Sequence, residues 1–172
     1  MRKAARGSND DKSGVTRPIQ YLIAVGKLVQ NTTVIESFMA NALKHLLKCR
    51  KKTADAIFYT HDSFQSKASL LRRVVVANGE AADKEFVERI ISAATKANNQ
   101  RRQIAHSMQL SKNPDEGSEF VIYSPKSAQR HPATIGLLKQ LVDQSYQAGL
   151  EAGQAYKELF RKHTEHGPPE TG

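Results

Sequence analysis

The sequence predicts an all-α fold, a helical bundle of four to five helices with one small β-hairpin before the last helix. Three observations support this prediction. Apolar residues recur at the spacing of a single helix face over four long segments. Leu, Ile, Val and Ala supply most of the apolar content, and the 172 residues include no Trp. Only EFVIYS alternates as a strand does, which limits the β-structure to a hairpin.

The length suits one domain and leaves little room for two. We expect a single helical domain over residues 17–163. Residues 1–16 mix basic residues with Gly and Ser, which favours a disordered basic N-terminal tail. Residues 164–172 end in HGPPETG, which favours a flexible C-terminal tail.

The first helix is expected to begin near Pro18, because proline suits a first helical turn. It continues at helical spacing to Leu47, with a bend expected near QNTT, and the basic run KCRKK closes it. One face of the first turns of this helix is predicted to be buried. Its residues are Ile19, Leu22, Ile23, Gly26 and Val29.

The second helix follows YTHDS, with Thr60 or Asp62 as its cap, and ends at the turn signal Asn78-Gly79. The third helix runs from about Ala81 to His106 or slightly beyond. A hairpin then pairs SMQLSK with EFVIYS across a polar loop.

The fourth helix is expected to begin near Pro132 or Thr134. Gly149 and Gly153, four residues apart, indicate a close helix crossing; simple tolerance of glycine is the alternative. The predicted inner face of this helix holds Ile135, Leu138, Val142, Tyr146, Gly149, Ala152, Tyr156, Leu159 and Phe160.

The charge balance favours a polyanionic partner. Lys and Arg number 26 against 17 Asp and Glu, a net charge of +9, so nucleic acid is the first candidate. KCRKK, Arg72-Arg73 and Lys67 are candidate phosphate contacts, and ordinary solvated helix faces are the alternative.

Several classes are disfavoured. Cys49 is the only cysteine, which excludes an internal disulfide and favours a reducing, cytoplasmic setting. No apolar run approaches the roughly 20 residues of a membrane span, so we expect no membrane partner. The histidines lack metal-ligand spacing and no Gly-rich phosphate loop is present, so we expect no metal and no cofactor.

The stretch NNQRRQIAHS places a cation on an apolar face. On a wheel of about 100° per residue, Arg101 falls near the middle of the apolar sector of the third helix, with Asn98 one turn before it. His106 lies about 120° to one side, beside Arg102 and Asn99. A buried Arg needs a carboxylate, a water-filled cleft or a partner subunit.

A carboxylate partner would make Arg101 a structural residue. Glu36 and Glu151 are the carboxylates available for such an ion pair, and a snorkelling side chain is a further structural option. A water-filled cleft or a partner subunit would instead make Arg101 part of a functional site.

The string RRQIAH resembles the Arg-x4-6-His motif of the HEPN superfamily, whose members carry it on a helix of an all-α bundle. The resemblance covers roughly residues 17–163, including a hairpin between the motif helix and the last helix. It implies that Arg101 and His106 are the catalytic pair. The residue after the motif arginine is commonly Asn, Asp or His in the family's ribonucleases, whereas this chain has Arg102. That departure bears on catalysis more than on fold.

The resemblance implies a metal-independent endoribonuclease in which two protomers bring their motifs together. His106 would take the proton of a ribose 2′-hydroxyl, and Arg101 would hold the phosphate. Arg102 would add phosphate affinity, and Asn98 and Asn99 would supply polar amides for nucleic-acid binding. A homodimer, RNA and, in a toxin–antitoxin or defence setting, an antitoxin protein are the implied partners.

Two functions therefore remain open. One is a HEPN-type ribonuclease; the other is a non-catalytic HEPN-like dimer that binds nucleic acid, nucleotide or a protein partner. A generic basic DNA-binding helical protein is a weaker third option, because the sequence has no recognition-helix pattern. We expect a dimer axis close to the face formed by residues 98–108, with apolar patches on either side.

Overall fold

A computed structural model of the chain describes residues 18–105, 108–110, 119–124, 129–132 and 134–165. The predicted N-terminal tail, 1–16, lies outside these residues, as does His106. The order of elements is α1 (Pro18–Leu47), α2 (Lys51–Tyr59), α3 (Phe64–Asn78), α4 (Ala81–Ala105), β1 (Met108–Leu110), β2 (Glu119–Ser124), β3 (Gln129–Pro132) and α5 (Ile135–Glu165). The fold is therefore an all-α bundle of five helices in the described helical regions. The last helix continues to Glu165, two residues into the predicted C-terminal tail.

Helix α1 begins at Pro18 and ends at Leu47, as predicted, but its predicted inner face is wrong over the first three turns. Ile19, Leu22 and Ile23 are exposed, whereas Ala24 and Leu28 are buried. The buried line continues through the second half, where it is formed by Ile35, Met39, Ala42, Leu43 and Leu46.

The chain turns sharply after α1. Lys48 adopts a left-handed conformation, with φ of 48°, and its amide donates to the His45 carbonyl at 3.1 Å. The Cys49 amide donates to the Lys44 carbonyl at 3.3 Å, which completes a Schellman-type cap. The basic run therefore ends α1 and also starts α2, a helix that was not predicted as a separate element.

Helix α3, which is the second helix predicted from the sequence, is capped one residue later than the later of its two predicted caps. Ser63, rather than Thr60 or Asp62, accepts a hydrogen bond from the Ser66 amide at 3.1 Å. Ala68, Leu71 and Val75, which recur at helical spacing, are buried. The helix ends at Asn78 and Gly79, where the sequence places its turn signal.

Helix α4 starts with a carboxylate cap. Asp83 is 1% exposed and accepts from the Glu80 amide at 2.8 Å, which is one half of a capping box. Tyr21 donates to the Ile104 carbonyl at 2.9 Å near the other end of α4, so α4 is tied to the beginning of α1.

Three strands lie between α4 and α5. β1 pairs antiparallel with β2, with Met108 opposite Val121, and β2 pairs antiparallel with β3, with Val121 opposite Pro132. Strand β3 was not predicted from the sequence. Thr134 caps α5, because its hydroxyl accepts from the Leu137 amide at 3.2 Å.

Helices α1 and α5 run parallel, and α4 runs antiparallel to both. The ion pairs Arg89–Glu158 and Lys96–Glu151 fix the register of α4 against α5. Gly153 lies at the α1–α5 crossing, where a Cβ would meet the Phe38 ring at 3.3 Å. This confirms the predicted close crossing at Gly153; at Gly149 a Cβ would meet nothing within 4 Å.

The predicted inner face of α5 is correct only in part. Leu138, Ala152 and Leu159 are buried, but Tyr146 and Phe160 are exposed at 55% and 44%. The remaining buried positions on α5 are Leu141, Ser145, Ala148 and Ala155. The true core face is therefore rotated from the predicted one and consists mainly of small residues that allow α1 and α4 to approach.

Candidate nucleic-acid interface

The last turns of α4 hold the described part of the Arg–His motif. Asn98 is 9% exposed, and its Oδ1 accepts a hydrogen bond of 3.1 Å from Nη2 of Arg101. Arg101 itself is exposed, as are Arg102 and Asn99. A buried amide thus holds one edge of the guanidinium and leaves the rest of it open to solvent.

The expectation that Arg101 lies on a buried face is therefore wrong. The reason is the length of α3. Arg72 binds Glu88 through two hydrogen bonds of 2.8 and 2.9 Å, which sets the antiparallel register of α3 and α4. In that register Phe64, the first residue of α3, lies opposite residue 96. Arg101 is more than one turn beyond this point, where α3 no longer covers the apolar sector of α4.

The structural alternative of an ion pair between Arg101 and Glu36 or Glu151 is not observed. Glu36 accepts from Lys67 at 2.7 Å, and Glu151 accepts from Lys96 at 2.8 Å. Within the described part of the chain, Arg101 has no carboxylate partner. Its guanidinium therefore remains available to an anion.

The surroundings of Arg101 are polar. Gln103 is exposed beside the two arginines, whereas Ile104, one residue further on, is 1% exposed and faces the core. The exposed large apolar side chains of the described structure lie on other surfaces, chiefly on α1 and α5. The exposed side chains among residues 98–103 are thus polar, and the dimer contact at the 98–108 face stays a prediction.

The wider basic surface is smaller than the sequence indicates. Lys67 is 8% exposed and lies 5.2 Å from the ring centroids of both Phe58 and Tyr59, besides its ion pair with Glu36. It is a structural residue and not a phosphate contact. Arg72 is held by Glu88, which raises the pKa of the guanidinium.

A second cluster of titratable groups was missed by sequence reasoning. Nε2 of His45 lies 3.3 Å from Oη of Tyr156, and the His45 and His163 rings stack with centroids 6.2 Å apart. Asp83 lies beneath them, with Oδ1 3.3 Å from Nε2 of His163. The cluster joins the end of α1, the start of α4 and the end of α5.

The pKa shifts in this cluster have definite causes. Burial lowers the pKa of His45, and the neighbouring charges of Lys44 and His163 lower it further. Burial acts to raise the pKa of Asp83, but hydrogen bonds from Lys162 and the Glu80 amide outweigh it, and the resulting pKa is lowered. No local sequence signal predicts this cluster, because its members are up to 118 residues apart, from His45 to His163.

Within the described ranges no group of three or more His, Cys, Asp or Glu side chains is arranged to hold a metal ion. None of the described helices combines the length and the apolar character that crossing a bilayer requires. Comparison with known protein families, with curated proteins and with solved structures found no match. The class that the structure defines is thus a five-helix all-α bundle with an exposed, amide-held arginine at the end of its fourth helix.

Proposed function

We propose that the protein is a HEPN-like bundle, with a hairpin before its last helix, that binds RNA and cleaves it without a metal ion. One observation carries the RNA contact. Arg101 is exposed, is held by the buried amide of Asn98, and has no carboxylate partner in the described structure. An arginine placed in this way suits phosphate, because the guanidinium presents paired donors to two phosphate oxygens.

In the proposed reaction the 2′-oxygen of the ribose attacks the adjacent phosphorus, and the 5′-oxygen of the next nucleotide leaves. His106 accepts the 2′-hydroxyl proton, since a histidine is present in its basic form near neutral pH. Arg101 stabilises the negative charge on the pentavalent phosphorus. The products are a 2′,3′-cyclic phosphate and a 5′-hydroxyl, whose proton comes from water. Arg102 adds affinity for the RNA backbone.

The alternative is a non-catalytic HEPN-like module that binds nucleic acid, nucleotide or a protein. The exposed polar strip of Asn99, Arg102 and Gln103 supports binding as well as it supports catalysis. The replacement of the family's usual residue by Arg102 is the feature that favours this alternative. In either case a homodimer is the proposed assembly, and a toxin–antitoxin or defence setting would add an antitoxin partner.

Cleavage of a labelled RNA in EDTA tests the proposal. We expect His106→Ala to lose about 10²–10⁴ in rate and Arg101→Ala about 10²–10³. Lys84→Ala is the control, because Lys84 is an exposed cation on the same helix as Arg101 but at its opposite end. A substrate with 2′-O-methyl groups should resist cleavage.

RNA binding separates the two functions. If the wild type binds RNA and Arg101→Ala weakens binding, but no EDTA-resistant cleavage occurs, the non-catalytic alternative holds. Equal binding and equal cleavage by wild type, Arg101→Ala and His106→Ala would refute both. Because Arg101 is already exposed, Arg101→Ala should leave the melting temperature within a few degrees of wild type.

A further inference from the structure

The first half of α1 is apolar on two opposite faces. Ala24 and Leu28 face the core, and a second apolar line lies on the other side of the helix. A helix that is apolar all round is normally covered on all sides. The second line is exposed and comprises Ile19 at 61%, Leu22 at 63%, Ile23 at 52%, Val29 at 47% and Val34 at 46%.

Helix α5 extends this surface. Tyr146 and Leu150 are 55% and 51% exposed, and a groove of about 880 Å³ runs between them and α1, with Val34 and Phe38 on the α1 side. A smaller groove of about 220 Å³ continues it toward Ile23. Together the two form the α1–α5 groove, on the side of both helices that faces away from α4. Of the exposed apolar residues of α1, Ile23 and Val34 line this groove, and polar side chains such as Lys27 and Gln30 line it as well.

Two helical glycines have no close neighbour at the position of a side chain: Gly149, which lines the groove, and Gly26, which lies on α1 outside it. Gly26 and Gly149 are inside helices, where glycine is unfavourable relative to alanine, yet a Cβ at either would meet nothing within 4 Å. Gly153, in contrast, is required by the Phe38 ring. A flat patch at Gly149 within the groove allows another helix to approach closely.

Two charged residues of the groove, Asp143 and Lys157, are placed symmetrically about Leu150; Lys27 and Lys139 also line the groove. Asp143 and Lys157 are each seven residues, close to two turns, from Leu150, so all three lie along one exposed face of α5. In the described structure neither charge has an ion-pair partner. Two α5 helices packed antiparallel about a two-fold axis at Leu150 would place Lys157 against the partner's Asp143, and the reverse pair would form by symmetry.

We propose that the α1–α5 groove binds a second copy of this chain, with the two α5 helices antiparallel and Leu150 at the two-fold axis. One symmetric contact would cover the exposed apolar residues of the groove, use the open space at Gly149 and pair the self-complementary charges. Two chains of net charge +9 repel each other, so the contact depends on apolar burial and on the two ion pairs at its ends.

This inference does not rest on the ribonuclease proposal, and it moves the dimer contact away from residues 98–108. Arg101 lies on the part of α4 between α1 and α3, whereas the groove lies on the opposite side of α1 and α5. An interface in the groove therefore keeps the two Arg101 side chains apart. Each protomer would then bind RNA with its own motif.

A charge-swap cycle tests the proposal by sedimentation over micromolar concentrations. The wild type should reach twice its 19.1 kDa. Asp143→Lys and Lys157→Asp should each weaken dimerisation by about tenfold or more, because each single change creates two like-charge contacts. The double variant Asp143→Lys/Lys157→Asp should return to within about threefold of wild type, since it restores both pairs in reversed order.

A second test replaces an apolar residue of the groove with a charged one. Leu150→Lys should yield a monomer, whereas Val76→Lys should leave the dimer intact; Val76 is 74% exposed but lies on α3, outside the groove. Circular dichroism should show unchanged helix content for all variants, because every altered side chain is exposed. A wild type that stays monomeric throughout, or a double variant no better than the single ones, would overturn the proposal.

Discussion

The carboxylate of Asp83 should contribute more to stability than any other charged group in the described part of the chain. It is 1% exposed, its Oδ1 accepts from Lys162 at 2.7 Å, and its Oδ2 accepts from the Glu80 amide at 2.8 Å. Asp83→Ala removes the ion pair that ties α5 to α4 and the capping bond that starts α4. Both losses act on the same end of the bundle.

The magnitude follows from these contacts. Removing one partner of a buried ion pair costs about 3–5 kcal/mol. The low end applies, because the Lys162 side chain is 21% exposed and keeps a second partner, Glu80, at 3.0 Å. With about 1 kcal/mol for the lost capping bond, Asp83→Ala should cost about 3–4 kcal/mol and lower Tm by roughly 6–16 °C. Asp83→Asn retains an acceptor for the cap and should cost about 2 kcal/mol.

Urea unfolding at several pH values provides the assay. The pKa of Asp83 is lowered below its ordinary value of 3.8, so its stabilisation is present above that value and is lost as the pH falls through the lower folded pKa. The difference in free energy of unfolding between wild type and Asp83→Asn should therefore become smaller below pH 3.8. Asp62→Ala, at an exposed aspartate before α3, should stay within about 0.5 kcal/mol of wild type. A gap that is absent at neutral pH, or that does not change with pH, would refute the argument.

Two further perturbations act on other parts of the fold. In Gly79→Ala the new Cβ would meet the Val75 carbonyl oxygen at 2.6 Å, so we expect thermal unfolding to show a free energy of unfolding lower by about 1–3 kcal/mol. Gly136→Ala is the control and should show no loss, because its Cβ has no neighbour closer than 4.0 Å. In the folded protein the pKa of His45 lies below its ordinary value of 6.5. As the pH falls, the unfolded chain therefore takes up a proton on His45 before the folded protein does. The stabilisation that depends on neutral His45 is then lost as the pH falls below 6.5. His45→Gln should flatten the pH dependence of unfolding between about pH 7 and 5, and an unchanged slope would contradict this assignment.

Helix ends were largely predictable, because the chemistry that starts or stops a helix is local. Pro18 begins α1, Thr134 caps α5 through its hydroxyl, and Gly79 follows the last residue of α3. The late cap at Ser63 shows the limit of such reasoning. Several polar residues in YTHDS can cap a helix, and only tertiary packing selects among them.

The buried faces were harder to predict than the helices. The first half of α1 carries two apolar lines on opposite sides, and periodicity alone does not decide which one meets α4 and α5. The line through Ala24 and Leu28 packs in the core, and the line that begins with Ile19 and Leu22 is left outside.

The exposure of Arg101 depends on the register between helices. Ion pairs between α4 and α5 fix the register of these two helices, and the Arg72–Glu88 pair fixes the register of α3 against α4. If α3 were two turns longer at its start, it would extend over the position of Arg101 and force the guanidinium to find a carboxylate. The helical wheel placed Arg101 correctly on the apolar side of α4. Whether this arginine is available to an anion depends on where α3 begins.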